Sequence, residues 1–247
     1  MTSFSLTVLG CSGSYGSPDE ACSGYLVQSA STNIWIDCGP GTLGALQRHV
    51  QLADLDAIVV SHQHPDHCAE LPVVYNAAKY YEGLTTIPVI CTEGVRTVTD
   101  AFHPMNDSSD LFAWEIVSDS SRARVGDIDI VFSRTDHPVE TLAMRFEHAG
   151  KAIVYTSDTG PGWSLAALGP DPDLVVGEGT LLETDFTEGV PHITCSDLGR
   201  DAASVGAGHL VVTHVPPGGD PDVHRAEAAR SFGGPVSAAH GGACYTV

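Results

Sequence analysis

Apolar positions recur along this chain at two periods, and their order outlines the fold. Residues 4–9, 24–28 and 33–37 are short, β-branched stretches separated by turns rich in Gly, Ser and Pro, which predicts three strands. Residues 40–50 then carry Leu43, Leu46 and Val50 at helical spacing, with Pro40 near the first turn. Residues 57–60 form a continuous apolar run, the pattern of a strand covered on both faces. A helix over 71–81, a strand over 89–91, a helix over 94–102 and a strand over 114–117 follow. The second half opens on strands at 128–133, 141–147 and 152–156, where Leu142, Met144 and Phe146 alternate. A strand at 174–176, a helix over 196–206 capped by Ser196, a strand at 209–213, a helix over 221–232 and two short closing strands complete the pattern. Two β-rich halves that each end in helices predict two sheets packed face to face with helices outside. No repeat or long linker divides them, so residues 1–247 read as one domain.

Composition narrows the class. With 43% hydrophobic residues in 247, the chain can bury a full core. Its net charge of −20 opposes a nucleic-acid polymer as partner, because counterion release needs clustered Lys and Arg. A small anionic substrate stays open, since bound divalent metals can reverse the local field. No stretch approaches the roughly 20 apolar residues of a membrane span. The opening residues carry neither a basic nor an apolar leader region. Seven scattered cysteines without a Cys-x-x-Cys pair predict free thiols in a reducing cytoplasm.

The chemistry concentrates in Ser61-His62-Gln63-His64-Pro65-Asp66-His67, directly after the buried run at 57–60. Imidazole nitrogen and carboxylate oxygen suit zinc and comparable divalent ions. His62 and His64, two residues apart in an extended turn, can face one metal together, while Asp66 and His67 are offset toward a second. Other candidates are ambiguous singly. His137 before a proline fits a loop, Asp158 in Ser-Asp-Thr fits a turn, and His214 at a strand end fits a core.

The His-x-His-x-Asp-His spacing resembles the signature of the metallo-β-lactamase superfamily, and the later residues appear in that family's order. The resemblance implies a four-layered αββα sandwich of the α/β class. It assigns His62, His64 and His137 to one metal and Asp66, His67 and His214 to the other, with Asp158 as the bridge. Ser157 stands where the family's Gly-Asp-Thr segment has glycine. Two divalent ions are implied, zinc first with Mn2+ or Fe2+ as alternatives, lowering the pKa of a bridging water to generate hydroxide. Val175-Val176-Gly177-Glu178-Gly179-Thr180 and His192-Ile193-Thr194 resemble segments of the ribonuclease Z and phosphodiesterase branch, in which a histidine that binds no metal assists cleavage and is oriented by a glutamate. Asp66, His192 and Glu178 are therefore the expected catalytic residues.

Only 33 residues, 159–191, separate Asp158 from His192, which leaves no room for the tRNA-gripping arm of ribonuclease Z itself. The compact layout resembles small actinobacterial-type members associated with cyclic-nucleotide hydrolysis. The expected function is thus a phosphodiesterase for small diesters. A lactonase or β-lactamase-like acyl hydrolase, and a non-catalytic metal-binding protein, are the alternatives, and a homodimer is compatible with any of them. Gly10-Cys11-Ser12-Gly13-Ser14 resembles the family's first glycine-rich loop but reads by itself as a turn. Cys68 reads as a small buried side chain, and His49, His103, His148, His209 and His224 as surface or structural residues.

Overall fold

The computed structural model describes residues 4–247. Residues 1–3, on which the expectation of no leader partly rests, lie outside them. In chain order the elements are β1 (Ser5–Gly10), β2 (Gly24–Gln28), β3 (Asn33–Ile36), α1 (Thr42–Leu46), β4 (Ala57–Val60), α2 (Pro65–Cys68), α3 (Leu71–Asn76), β5 (Ile87–Cys91), α4 (Glu93–Phe102) and β6 (Phe112–Ile116). They continue as β7 (Arg122–Val125), β8 (Ile128–Arg134), β9 (Leu142–His148), β10 (Lys151–Tyr155), β11 (Leu174–Glu178), α5 (Cys195–Ser204), β12 (Leu210–Thr213), α6 (Pro221–Phe232), β13 (Val236–Ala238) and β14 (Cys244–Thr246).

Two seven-stranded sheets result, ordered β14-β1-β2-β3-β4-β5-β6 and β13-β12-β11-β10-β9-β8-β7. Side-chain alternation sends one set of residues between the sheets, where Leu6, Tyr25, Ile36 and Val59 meet Phe132, Met144, Tyr155 and Val176. The opposite set faces helices. Trp35, Ile58 and Val60 pack beneath Leu46, Leu71 and Val74, and Val154, Val175 and Val212 beneath Leu198, Ala202 and Ala228. This is the αββα sandwich. The all-apolar run of β4 is explained by its place between β3 and β5, with both faces covered. Gly199 lets α5 and α6 touch, because a Cβ there would stand 2.4 Å from the Ala228 carbonyl oxygen. Among the described residues no helix is long and apolar enough to cross a membrane.

Several boundaries differ from the sequence pattern for physical reasons. The helix expected over 40–50 is confined to α1, because Gly41 precedes it in the left-handed region at φ 96°. The one expected over 71–81 ends at Asn76 and continues as a single wider turn, in which Glu82 N–H donates to the Ala77 carbonyl at 3.0 Å. α5 starts one residue earlier than expected. Thr194, not Ser196, caps it, its hydroxyl oxygen accepting from Asp197 N–H at 3.0 Å, while the Ser196 hydroxyl pairs with that of Ser231. β7 and α2 have no counterpart in the periodicity: β7 is a polar edge strand and α2 a single turn within the histidine motif.

Candidate metal centre

The ligand-type residues sit where strands end. β3 and β4 run parallel, as do β10, β11 and β12, so the carboxyl ends of both groups can form one rim. β3 releases Asp37, β4 releases the 61–67 motif, β10 leads to Asp158, β11 ends on Glu178 and β12 leads to His214. Asp37, Ser157 and His214 are left-handed, at φ 53°, 53° and 60°, turning the chain sharply as each strand ends. The conformation at Ser157 is one that glycine adopts without cost. The Ser157 hydroxyl is also buried and unpartnered. Ser157→Gly is therefore expected to raise stability by about 0.5–1 kcal/mol, or roughly 1–4 °C in Tm, with metal content unchanged. A lower Tm would show that this left-handed turn carries no strain.

Seven of the residues singled out above converge. His62 Nε2 and His137 Nε2 each lie 3.1 Å from His64 Nδ1. His67 Nε2 and His214 Nε2 are 3.4 Å apart, and Asp66 Oδ2 lies 3.5 and 3.3 Å from them. Asp158 divides its carboxylate between the sets. Oδ2 lies 3.7 and 3.9 Å from His62 and His137, and Oδ1 lies 3.3 Å from both His67 and His214. The glycine-rich loop joins them, since Ser14 N–H donates to Asp66 Oδ2 at 2.9 Å. Gly13 is required beside it, because a Cβ there would meet the His214 ring at 2.8 Å. Asp136 lies outside the cluster and accepts from Gly162 N–H.

Hydrogen bonds fix most of the ring tautomers. Thr180 has one hydroxyl proton, which goes to Glu178 Oε2 at 2.6 Å, so its 2.9 Å contact with His214 is accepted from Nδ1–H. Ser61 likewise donates to Asp37 Oδ2 and accepts from His62 Nδ1–H at 3.0 Å. His67 Nδ1–H donates to Asp37 Oδ2 at 2.7 Å, and His137 Nδ1–H to the Pro191 carbonyl at 3.2 Å. Four rings therefore hold a proton on Nδ1 and turn Nε2 inward. The sequence reading missed Asp37, which also accepts from Tyr155 OH at 2.9 Å, and Thr180. The available signal for Asp37 was a lone carboxylate ending an apolar strand.

This donor set fits divalent cations. A tetrahedral ion with nitrogen ligands at about 2.0–2.1 Å sets ligand separations of roughly 3.3 Å, close to those of the two sets. Asp158 Oδ1 is buried, has no hydrogen-bond donor and faces the Nε2 atoms of His67 and His214. Burial, then neighbouring rings, holds His62 well below the usual imidazole range, and burial also lowers His64 and His137, so all three present neutral donors. Burial opposes a charge on His67 too, but Asp158 and Asp37 outweigh it and raise that group well above its ordinary value. His67 thus carries the proton that a cation would displace.

His192 stands beside this cluster, outside the two sets above, and forms a third group of ligand-type atoms within 4.8 Å of one another with Asp158 and His214. Its Nδ1–H donates to Glu178 at 3.0 and 3.2 Å from the two carboxylate oxygens, and its ring stacks on His214 with centroids 5.4 Å apart. Burial opposes protonation of His192, yet Glu178 raises its pKa. Glu178 is buried and also accepts from Thr159 N–H at 2.6 Å, next to Asp158. A cavity of about 1000 Å3 lies between the loop after β12 and the edge strands β13 and β14, lined by Thr213 and Val215 on either side of His214 but by none of the seven converging residues.

Comparison with known proteins matches residues 32–215 to the β-lactamase superfamily domain. The chain is 32% identical over 241 residues to the probable metallo-hydrolase YhfI of Bacillus subtilis, covering 96% of this chain and 97% of that one. It is 29% identical over 265 residues to ribonuclease Z of Mycobacterium bovis, covering 94% of each. The YhfI crystal structure superposes over 100% of both chains with a TM-score of 0.90 at 29% identity. Human tRNase Z, short form, superposes over 98% of each with a TM-score of 0.79 at 17% identity, a likeness of fold.

Proposed function

The chain belongs to the metallo-β-lactamase superfamily of metal-dependent hydrolases, and from that premise we propose that it cleaves small phosphodiesters, cyclic nucleotides first among them. The observation that carries this reading is the His192–Glu178 pair beside the histidine and aspartate cluster. A departing alkoxide needs a proton, which the imidazole held by Glu178 can supply, and this pair falls in the segments that resemble the ribonuclease Z and phosphodiesterase branch. The ribonuclease Z relative, whose name denotes cleavage of RNA, is consistent with phosphodiester chemistry.

In this reading His62, His64 and His137 would hold one divalent ion and Asp66, His67 and His214 a second, with Asp158 shared between them. Zinc is the first expectation, with Mn2+ or Fe2+ as alternatives. Such ions supply an acidified water and Lewis-acid stabilisation of a developing oxyanion. The protein supplies the rest. Asp37, Ser61, Thr180 and the Pro191 carbonyl hold the rings in the donor tautomer. Glu178 holds His192 through Nδ1, leaving Nε2 to protonate the leaving oxygen.

Charge selects the size of substrate. Lys79, Arg96, Arg124, Arg145, Lys151, Arg200, Arg225 and Arg230 each pair with local carboxylates. With so many cations committed in a chain of net charge −20, substrate phosphate is held chiefly at the metal centre. The seven unpaired cysteines suit a cytoplasmic setting. Side-by-side kinetics on a cyclic nucleotide, a tRNA precursor and a simple lactone test the proposal. The cyclic nucleotide should exceed the tRNA precursor by at least about 100-fold in kcat/KM. A lactone turned over orders of magnitude faster than either diester would replace this reading with acyl hydrolysis.

The pH profile gives a narrower check. Glu178 raises the pKa of His192, so the acid form persists to higher pH and activity falls as pH rises through that raised value. Glu178→Gln removes the carboxylate charge and should move the alkaline limb of kcat to lower pH. An unmoved limb would separate it from His192.

A further inference from the structure

His224 lies on α6, ten residues beyond His214 and outside both ligand sets, yet it is buried and engaged with the centre. Its Nδ1 stands 2.6 Å from the Gly179 carbonyl oxygen, and since a carbonyl only accepts, Nδ1 carries the proton. The Cys195 thiol of α5 donates to the same oxygen at 3.3 Å. Gly179 sits between Glu178, which holds His192, and Thr180, which holds His214. Its own N–H donates to the Thr213 carbonyl at 2.8 Å, immediately before His214. The backbone there is pressed tight: a Cβ on Gly179 would stand 2.5 Å from Val212 Cγ1 and 2.9 Å from Cys195 Sγ. One turn along α6, buried Glu227 accepts from Glu183 N–H at 3.0 Å, fixing the start of the segment that returns to His192.

Accepting the hydrolase reading above, we infer that His224 is a positioning residue of this centre. Its bond to Gly179 fixes the Glu178–Gly179–Thr180 turn, and through that turn the orientation of the His192 and His214 rings. A buried imidazole is costly where an apolar side chain would pack, and Cys195 already gives the Gly179 oxygen one donor. What the imidazole adds is a shorter, directional bond at the single residue that joins the two ring-holding side chains. α6 thereby sets the alignment of both without touching substrate or metal.

Two variants test this. His224→Leu keeps an apolar packing volume and removes the donor, whereas His224→Asn can place an amide N–H close to the position of Nδ1. The leucine variant should lose about 10–100-fold in kcat with KM changed less than about threefold, and its alkaline limb should move to lower pH. The asparagine variant should recover kcat to within about threefold and restore the limb, although both show similar Tm. Equal kcat in the two variants at equal Tm, or a leucine variant with unchanged kcat per folded molecule, would overturn the inference. Chelator competition supplies an arm that needs no substrate. Looser support of His214 should weaken zinc retention about tenfold in the leucine variant but not in the asparagine variant. Unchanged zinc retention in the leucine variant would overturn the link to His214. Retention that follows the donor sustains that link even if the phosphodiesterase reading fails.

Discussion

His192→Ala is expected to lower kcat on a cyclic nucleotide by about 10²–10⁴-fold while metal content stays equal to that of the parent. The ring lies outside the group of His62, His64, His137 and Asp158 and that of Asp66, His67 and His214, although it comes within 4.8 Å of ligand atoms of Asp158 and His214. Its Nδ1–H is committed to Glu178, so its loss removes a proton donor and leaves both of those groups in place. Leaving group separates the possible sites of its action. A nitrophenyl diester releases a stable anion, and its hydrolysis should fall less than about tenfold if His192 protonates the departing oxygen. Equal losses on both substrates would move the role to the non-bridging oxygen. Turnover within threefold of the parent on both would remove His192 from the mechanism.

The ligand motif was legible in sequence because it is local. Four donor-type residues fall within 62–67 after an apolar strand, and no packing argument accounts for that density. His137, Asp158 and His214 became readable only as a set, since each is ordinary in its own neighbourhood. The groups that hold the rings were harder to see. Asp37, just after β3, serves Ser61 and His67 after β4 and Tyr155 at the end of β10, and this convergence exists only once the two sheets are packed face to face. Thr180 and His224 were hidden for the same reason: their partners lie 34 and 45 residues away. β7 escaped because Arg122 and Arg124 occupy exposed positions at a sheet edge, which leaves little apolar alternation to read.

Asp158→Ala should cost more metal affinity than His214→Ala, although both remove one ligand residue. His214 offers one nitrogen to one set, whereas the two oxygens of Asp158 face different sets, Oδ2 toward His62 and His137 and Oδ1 toward His67 and His214. Two dications about 3.5–4 Å apart repel strongly, and a carboxylate between them offsets that repulsion for both. Without it, three histidine nitrogens remain for the first ion and a carboxylate with two histidines for the second, so a single ion can still bind. The expected state of Asp158→Ala is one ion per chain, with affinity for a second reduced at least about 100-fold and turnover lost with it. Asp158→Asn keeps the shape and one acceptor oxygen but not the charge. It should fold as well as the parent and still fail to hold two ions. Elemental analysis beside activity checks both variants, and an alanine variant that retains two ions and near-parental turnover would mean that another group bridges the centre.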